Sequence, residues 1–156
     1  MNDHAICGYA SLFGKPDLAG DEIKSGAFRQ SLMRRTEPTA MLYQHDATRP
    51  IGVWTQLRET DRGLWVEGVL ARNVQLADEV GALIRQHMLT GLSIGYRPVR
   101  ASVGQGRIKR YLHEVDLVEI SIVTFPMQPL AKLYDVPVIA GKQKQRSDEN
   151  CLATAN

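Results

Sequence analysis

Apolar residues fall on every second position at the start of the chain: Ile6, Gly8, Ala10 and Leu12 alternate through ICGYASLF until Gly14-Lys15-Pro16-Asp17 stops the run. A period of two predicts a half-buried strand, a turn and a loop to Gly20. Ser25 is then a plausible N-cap for GAFRQSLM, a short helix whose apolar stripe is Phe28, Leu32 and Met33 and which Pro38 ends. From Thr39 to Leu70 strand character returns in three pieces: TAMLYQ, IGVWTQLRE and GLWVEGVL. The short connection Glu59-Thr60-Asp61-Arg62-Gly63 makes the last two an antiparallel hairpin.

The period then changes. Leu76, Val80, Leu83, Ile84, His87 and Met88 recur at helical spacing, with Asn73 as a candidate cap and Gly91 as the stop. Strand pattern resumes in GLSIGYRPV, crosses the turn-rich SVGQGR, and continues in KRYLHEVDLVEISIVTF to the breakers of Phe125-Pro126-Met127-Gln128-Pro129. About six or seven strands and two helices predict a mostly antiparallel barrel with helices on its outside. Residues 1–140 form the expected domain. The polar, aperiodic stretch 141–156 is expected to be a disordered tail, since it offers too little apolar surface to offset its ordering entropy.

Composition narrows the functional classes. At 156 residues and 44% hydrophobic, the chain suffices for one domain with a core, and a formal charge of +2 with interspersed signs points neither to nucleic acid nor to an anionic membrane. Cys7 and Cys151 lie near opposite ends without partners at metal-ligand spacing. A disulfide scaffold and a Cys-based zinc site are therefore not expected, and both thiols should be reduced in a soluble intracellular protein. No charged-then-apolar leader opens the chain, and no run approaches the ~18 apolar residues of a spanning helix.

Among groups able to do acid–base work, His45 ranks first. It follows the apolar run MLY and precedes Asp46 where a strand gives way to the loop ATRP, so it can project from stiff backbone into a cleft. His87 falls on the apolar stripe of the second helix and is expected to pack there. His113, beside Glu114, is expected to make a cross-strand polar contact. Ser93, flanked by Gly91 and Gly95, is a candidate nucleophile that a substrate backbone can approach closely. Its setting is not the usual nucleophile elbow, because helix precedes and strand follows. Glu119 interrupts the apolar run VEISIV, and a carboxylate there needs a partner, either an arginine or a catalytic group. By alternation it shares a face with Ser121, Leu117, Val115 and His113.

Taken together, GYASLFG, SGAFRQSL, MLYQHD, GLSIGY and VEISIVTFPMQPLAKL resemble, in that order and over about residues 5–135, the prohead (capsid maturation) serine protease family of tailed bacteriophages, a distant relative of the herpesvirus assembly protease. The resemblance implies a closed antiparallel β-barrel with two helices packed outside. It implies a serine endopeptidase with Ser93 as nucleophile, His45 as base and Glu119 as third member, with His113 as the rival for that place because herpesvirus relatives use a second histidine. Gln128 stands where Asn is more usual, which should affect a turn. No metal or cofactor is implied. The implied substrates are the major capsid protein and its scaffold segment, in the assembling prohead within the bacterial host cytoplasm, with the protease also acting on its own tail; the herpesvirus relatives suggest a homodimer. Two rivals remain: a non-enzymatic capsid-assembly or scaffold-binding module, and a metal-dependent hydrolase built on His45, Asp46, His113 and Glu114, for which no H-E-x-x-H cluster exists.

Overall fold

The computed structural model describes residues 4–137. Eight strands and two helices follow in the order β1 (His4–Leu12), β2 (Asp21–Ile23), α1 (Arg29–Arg34), β3 (Thr39–Tyr43), β4 (Asp46–Glu59), β5 (Gly63–Leu70), α2 (Gln75–Arg85), β6 (Gly91–Val103), β7 (Arg110–Val123) and β8 (Leu133–Pro137). The expectation of six or seven strands misses β2 and β8, which at three and five residues are too short to display a period. The expected tail, 141–156, lies outside the described residues.

All eight strands join one sheet, whose ladder runs β2-β7-β3-β4-β5-β1-β8 while β6 pairs with β7. The closed antiparallel barrel is corrected on two counts. The sheet is an open half-barrel: between β8 and β6 there is an isolated bridge, Gly91 to Lys132, with Leu92 N donating to Ala131 O (3.0 Å) and Leu133 N to Thr90 O (3.0 Å). The segment approaching β8 carries Pro126 and Pro129, which have no N–H to offer a ladder. Second, β2 and β3 run parallel to β7, meeting it at Arg110–Leu112 and Ile120–Ile122. The stretch of β7 between them is sealed by α1 and its flanks: Val115 N donates to Ala27 O (3.0 Å), Leu117 N to Ser31 Oγ (2.9 Å), and Arg35 Nη2 to Leu117 O (2.5 Å).

The helices begin and end differently from their sequence signals. Phe28, not Ser25, caps α1; Phe28 is fully buried, whereas Met33 points to solvent. Val74, not Asn73, caps α2, whose buried face is Ala77, Val80, Gly81 and Ile84. His87 leaves the apolar stripe because the helix has already ended: it sits exposed in the left-handed conformation (φ 57°), donating its N–H to Ile84 O while Met88 N donates to Leu83 O. That is the Schellman closure, with histidine in the place glycine usually takes.

Ile51, Trp54, Leu64, Leu92, Leu112, Ile120 and Ile122 are among the buried core, and Trp54 Nε1 donates to Ile120 O (3.0 Å), bolting β4 to β7 across it. Cys7 is buried beside Tyr9 and Trp65; Cys151, and with it the expectation about the two thiols, lies outside the described residues. Among the described residues no helix is long and apolar enough to cross a membrane.

Candidate active site

Three elements converge where the sheet fails to close. β6 and β7 are paired so that Ser93 faces Ser121 and Gly95 faces Glu119. Directly paired residues project from the same face with Cβ atoms roughly 5 Å apart. Leu92 and Ile120 point the other way, into the core. Ser93, Ser121 and Glu119 therefore stand together on the face away from the core. Gly95 is a close-approach position: a Cβ there would overlap the Glu119 carboxylate, so glycine makes room for the acid.

The grouping of Glu119 with Leu117, Val115 and His113 is corrected. The register shift between Gly95 and Tyr96 pairs Glu119 and Leu117 with consecutive residues and leaves Val118 as an extra one. Such a bulge inverts the alternation. Core residues accordingly change parity along β7, from Val115 and Leu117 to Ile120 and Ile122. Glu119 keeps company with Ser121 alone.

His45 arrives from the hairpin joining β3 to β4. Tyr43 pairs with Asp46, so Gln44 and His45 are the whole loop, and both have positive φ (54° and 60°). This fits the two-residue turn whose twist matches its strands, built here without glycine or asparagine. The expected loop ATRP is instead the start of β4. Gln and His in left-handed backbone are strained, and β7 supplies the compensating contacts. Gln44 N donates to Ile122 O (3.0 Å), Gln44 Nε2 to Thr124 Oγ1 (2.7 Å), and His45 N to Ser121 Oγ (3.1 Å).

The imidazole Nδ1 lies 2.6 Å from Glu119 Oε1, and Ser121 Oγ donates to Glu119 Oε2, also at 2.6 Å. Both carboxylate oxygens are thus engaged by short, charge-assisted bonds. An ionised carboxylate accepts only, so Nδ1 carries the hydrogen and Nε2 keeps its lone pair. Hydrogen bonding to Glu119 raises the His45 pKa above the ordinary histidine value; desolvation opposes this, and the Glu119 charge adds to it. The partner of Glu119 is therefore His45 instead of an arginine. Ser121, fully buried, holds the acid and the turn at once, a role that its place two residues from Glu119 hinted at.

Ser93 and His45 line one cavity of about 190 Å³. Its other walls include Ala10 and Ser11 from β1, Asp17 and Ala19, Asp21 and Ile23, and Met127 and Gln128. Ser93 is 4% exposed, at the edge of the bridge to β8. Tyr96 closes one end: its hydroxyl donates to Asp21 Oδ2 (3.0 Å), and Arg110 grips the same carboxylate through Nε and Nη2 (2.8 and 2.6 Å). Arg110 is the largest cause holding the Asp21 pKa below the usual carboxylate range, while burial first and Asp21 second push the Tyr96 phenol up. Sequence reading missed this network, because its members lie 75 and 89 residues apart. Gln128 fastens the opposite wall, accepting from Leu12 N (2.6 Å) and donating to Leu12 O (3.0 Å) and Lys15 O (2.8 Å).

His113 is not part of this group: its Nε2 lies 2.7 Å from Ser102 Oγ, far along the β6–β7 hairpin. His87 is exposed at the end of α2. Among the described residues no three His, Cys, Asp or Glu are arranged to hold a metal ion.

The family model of the caudovirus prohead serine protease matches residues 1–143. The prohead protease of Enterobacteria phage HK97 is 32% identical over 149 residues, covering 93% of this chain and 65% of the relative. That of Escherichia phage T5 is 31% identical over 123 residues, covering 78% and 57%. The chain thus spans less than two thirds of the length of these relatives. Among solved structures, KSHV protease in complex with a hexapeptide phosphonate inhibitor superposes with a TM-score of 0.66 at 13% identity, covering 97% of this chain and 77% of that one. Varicella-zoster virus protease gives 0.56 at 12% identity, with 97% and 75% covered. These two likenesses are of fold.

Proposed function

Because the chain belongs to the caudovirus prohead serine protease family, we propose that it is a serine endopeptidase that cleaves capsid and scaffold proteins, and its own tail, during prohead assembly in the bacterial host cytoplasm. The observation that carries this reading is the convergence of Ser93 and His45 on one cavity with the Nδ1 of His45 tied to Glu119. Ser93 is the nucleophile, His45 the general base and then acid, and Glu119 the group that holds the imidazole tautomer.

As Ser93 Oγ bonds to a peptide carbonyl carbon, its proton passes to His45 Nε2, and the imidazolium that forms is stabilised by Glu119. The C–N bond then breaks, with His45 returning the proton to the leaving amine. Water repeats the sequence on the acyl-enzyme: its oxygen bonds to the carbonyl carbon, His45 takes its proton, and that proton goes back to Ser93 Oγ as the acid product leaves. Chain order His, Ser, Glu is no obstacle, since such triads are defined by geometry. Substrate and enzyme enclosed in one shell meet at high effective concentration, so modest intrinsic affinity suffices.

The test is co-expression with the phage's capsid precursor. Ser93→Ala should leave the precursor uncut while the variant keeps its fold by circular dichroism, and unchanged processing refutes the protease reading in favour of an assembly module. Mass spectrometry of active protein after incubation reads self-cleavage of the tail, and an intact C-terminus counts against that part. Sedimentation velocity tests the homodimer.

A further inference from the structure

Beyond Tyr96 the β6–β7 hairpin presents a charged ribbon along its free β6 edge, while β7 behind it pairs with β2 and packs on α1. Residues 97–110, RPVRASVGQGRIKR, contain five cations and no acid, against a net charge of +2 for the whole chain, so the remainder is net negative. Every residue from Arg97 to Val103 is exposed, and Val103 reaches 88%. Both faces of this strand are therefore wet, an arrangement that gains little from burial. The two acids opposite it on β7, Glu114 and Asp116, are engaged from α1: Glu114 lies 3.6 Å from Arg34, and Ser31 Oγ donates to Asp116 (3.4 Å).

The ribbon is fixed relative to the cavity. Its far end, beside the turn, is held by the Arg110–Asp21 pair on the cavity wall, and Gly20 O accepts from Lys109 N (2.7 Å). The same strand that carries Ser93 continues directly into Arg97 and Arg100. At ~3.3 Å per residue, these two side chains originate about 13 and 23 Å from Ser93 along β6. An extended polypeptide advances at the same rate, and the register shifts at Tyr96 and around Arg100 bend β6 and shorten the separation, so both cations fall within about seven residues of the scissile bond.

We infer that the ribbon is a docking surface for an acidic segment of the protein substrate, one that lies within about seven residues of the cleavage site. This rests on the protease reading of the cavity and names the feature that selects the substrate beyond it. Val99 and Val103 interleave the charges with apolar contact, as a polypeptide partner favours, and the ribbon has no aromatic residue on which a base could stack. Charge at such a rim acts chiefly on encounter rate and partner choice.

The test uses full-length Ser93→Ala protein, so that binding is read without cleavage, and a fluorescein-labelled decaglutamate peptide followed by anisotropy. A decaglutamine peptide is the control. Binding should weaken with salt, and Arg100→Ser, Arg107→Ser, Lys109→Ser together should weaken it at least fivefold. The charge-conserving set Arg100→Lys, Arg107→Lys, Lys109→Arg should retain it, which separates lost charge from lost fold. Equal affinity in wild-type and serine-substituted proteins overturns the inference, as does tenfold tighter binding of a 20-base-pair DNA duplex than of the peptide. Loss of the protease reading would show instead as uncut capsid precursor with wild-type protein, an outcome independent of the peptide measurement.

Discussion

Glu119→Gln isolates what the carboxylate does for His45. In the native site one carboxylate oxygen takes the Nδ1 hydrogen and the other the Ser121 hydroxyl hydrogen, each at 2.6 Å. A glutamine side chain offers one acceptor and one donor to these two partners. If its carbonyl keeps the Ser121 bond, its amide faces Nδ1, forces the hydrogen onto Nε2 and removes the base. An analogous wrong-tautomer substitution in a Ser-His-Asp triad costs about 10⁴ in turnover. Because the glutamine can also flip to keep its carbonyl on Nδ1, with Ser121 turning to accept, the expected loss in kcat/KM is about 10²–10⁴. The pH profile carries the second signature. Since the base must be neutral, activity in the native enzyme rises as pH passes through the elevated His45 pKa. Without Glu119 the main cause of elevation is gone, so the acid limb moves to lower pH, at or below the ordinary value of about 6.5. The linked stability follows the same sign: a raised histidine pKa stabilises the fold fully below about pH 6.5, and that contribution fades as pH rises through the folded-state value. Glu119→Gln removes this pH dependence. Steady-state kinetics on a cleavable capsid peptide from pH 5 to 9, with NMR titration of the His45 ring, makes the measurement. Activity within threefold of wild type together with an unmoved limb refutes the assigned role.

Gly95→Ala places a Cβ on the Glu119 carboxylate; it should lower kcat by at least tenfold with a smaller effect on KM, read by the same kinetics. Ser121→Ala leaves Glu119 Oε2 and the His45 N–H without their buried partner; urea denaturation should show a loss of about 1–3 kcal/mol, and kinetics a tenfold or greater fall. Asp21→Asn should cost about 1 kcal/mol at neutral pH by chemical denaturation, through weakening of the bidentate Arg110 pair. Because the Asp21 pKa is depressed, its stabilisation is present above the unfolded value near 3.9 and is lost as pH falls through the folded value. The variant's Tm should accordingly vary less with pH below about pH 4.

Local pattern was a good guide to long elements and a poor one to short ones and to ends. The helical spacing of Val80 and Ile84 marks α2, whose buried face they share. Its ends differ from the sequence signals, because Asn73 and His87 take left-handed backbone, which leaves the cap to Val74 and closes the helix before Gly91. For His45 the pattern predicts a strand end leading into the loop ATRP, whereas the loop is Gln44 and His45 alone and β4 begins at Asp46. Glu119 was suspect because a carboxylate in an apolar strand needs a partner, while its true face is set by the bulge at Val118.

The chain by itself determined that the protein is mainly β with two helices, since periodicity is a property of contiguous sequence; it offered Ser93, His45 and Glu119 as separate candidates, which the family resemblance alone joined into one site. Tertiary structure alone decided that the sheet stays open, that His45 meets Glu119 through Nδ1 and not His113, and that Ser121 locks the pair. Those outcomes depend on pairing between β3, β6 and β7, strands remote along the chain. One residue of register turns every side chain to the opposite face, and no local pattern encodes which register the distant partner will impose.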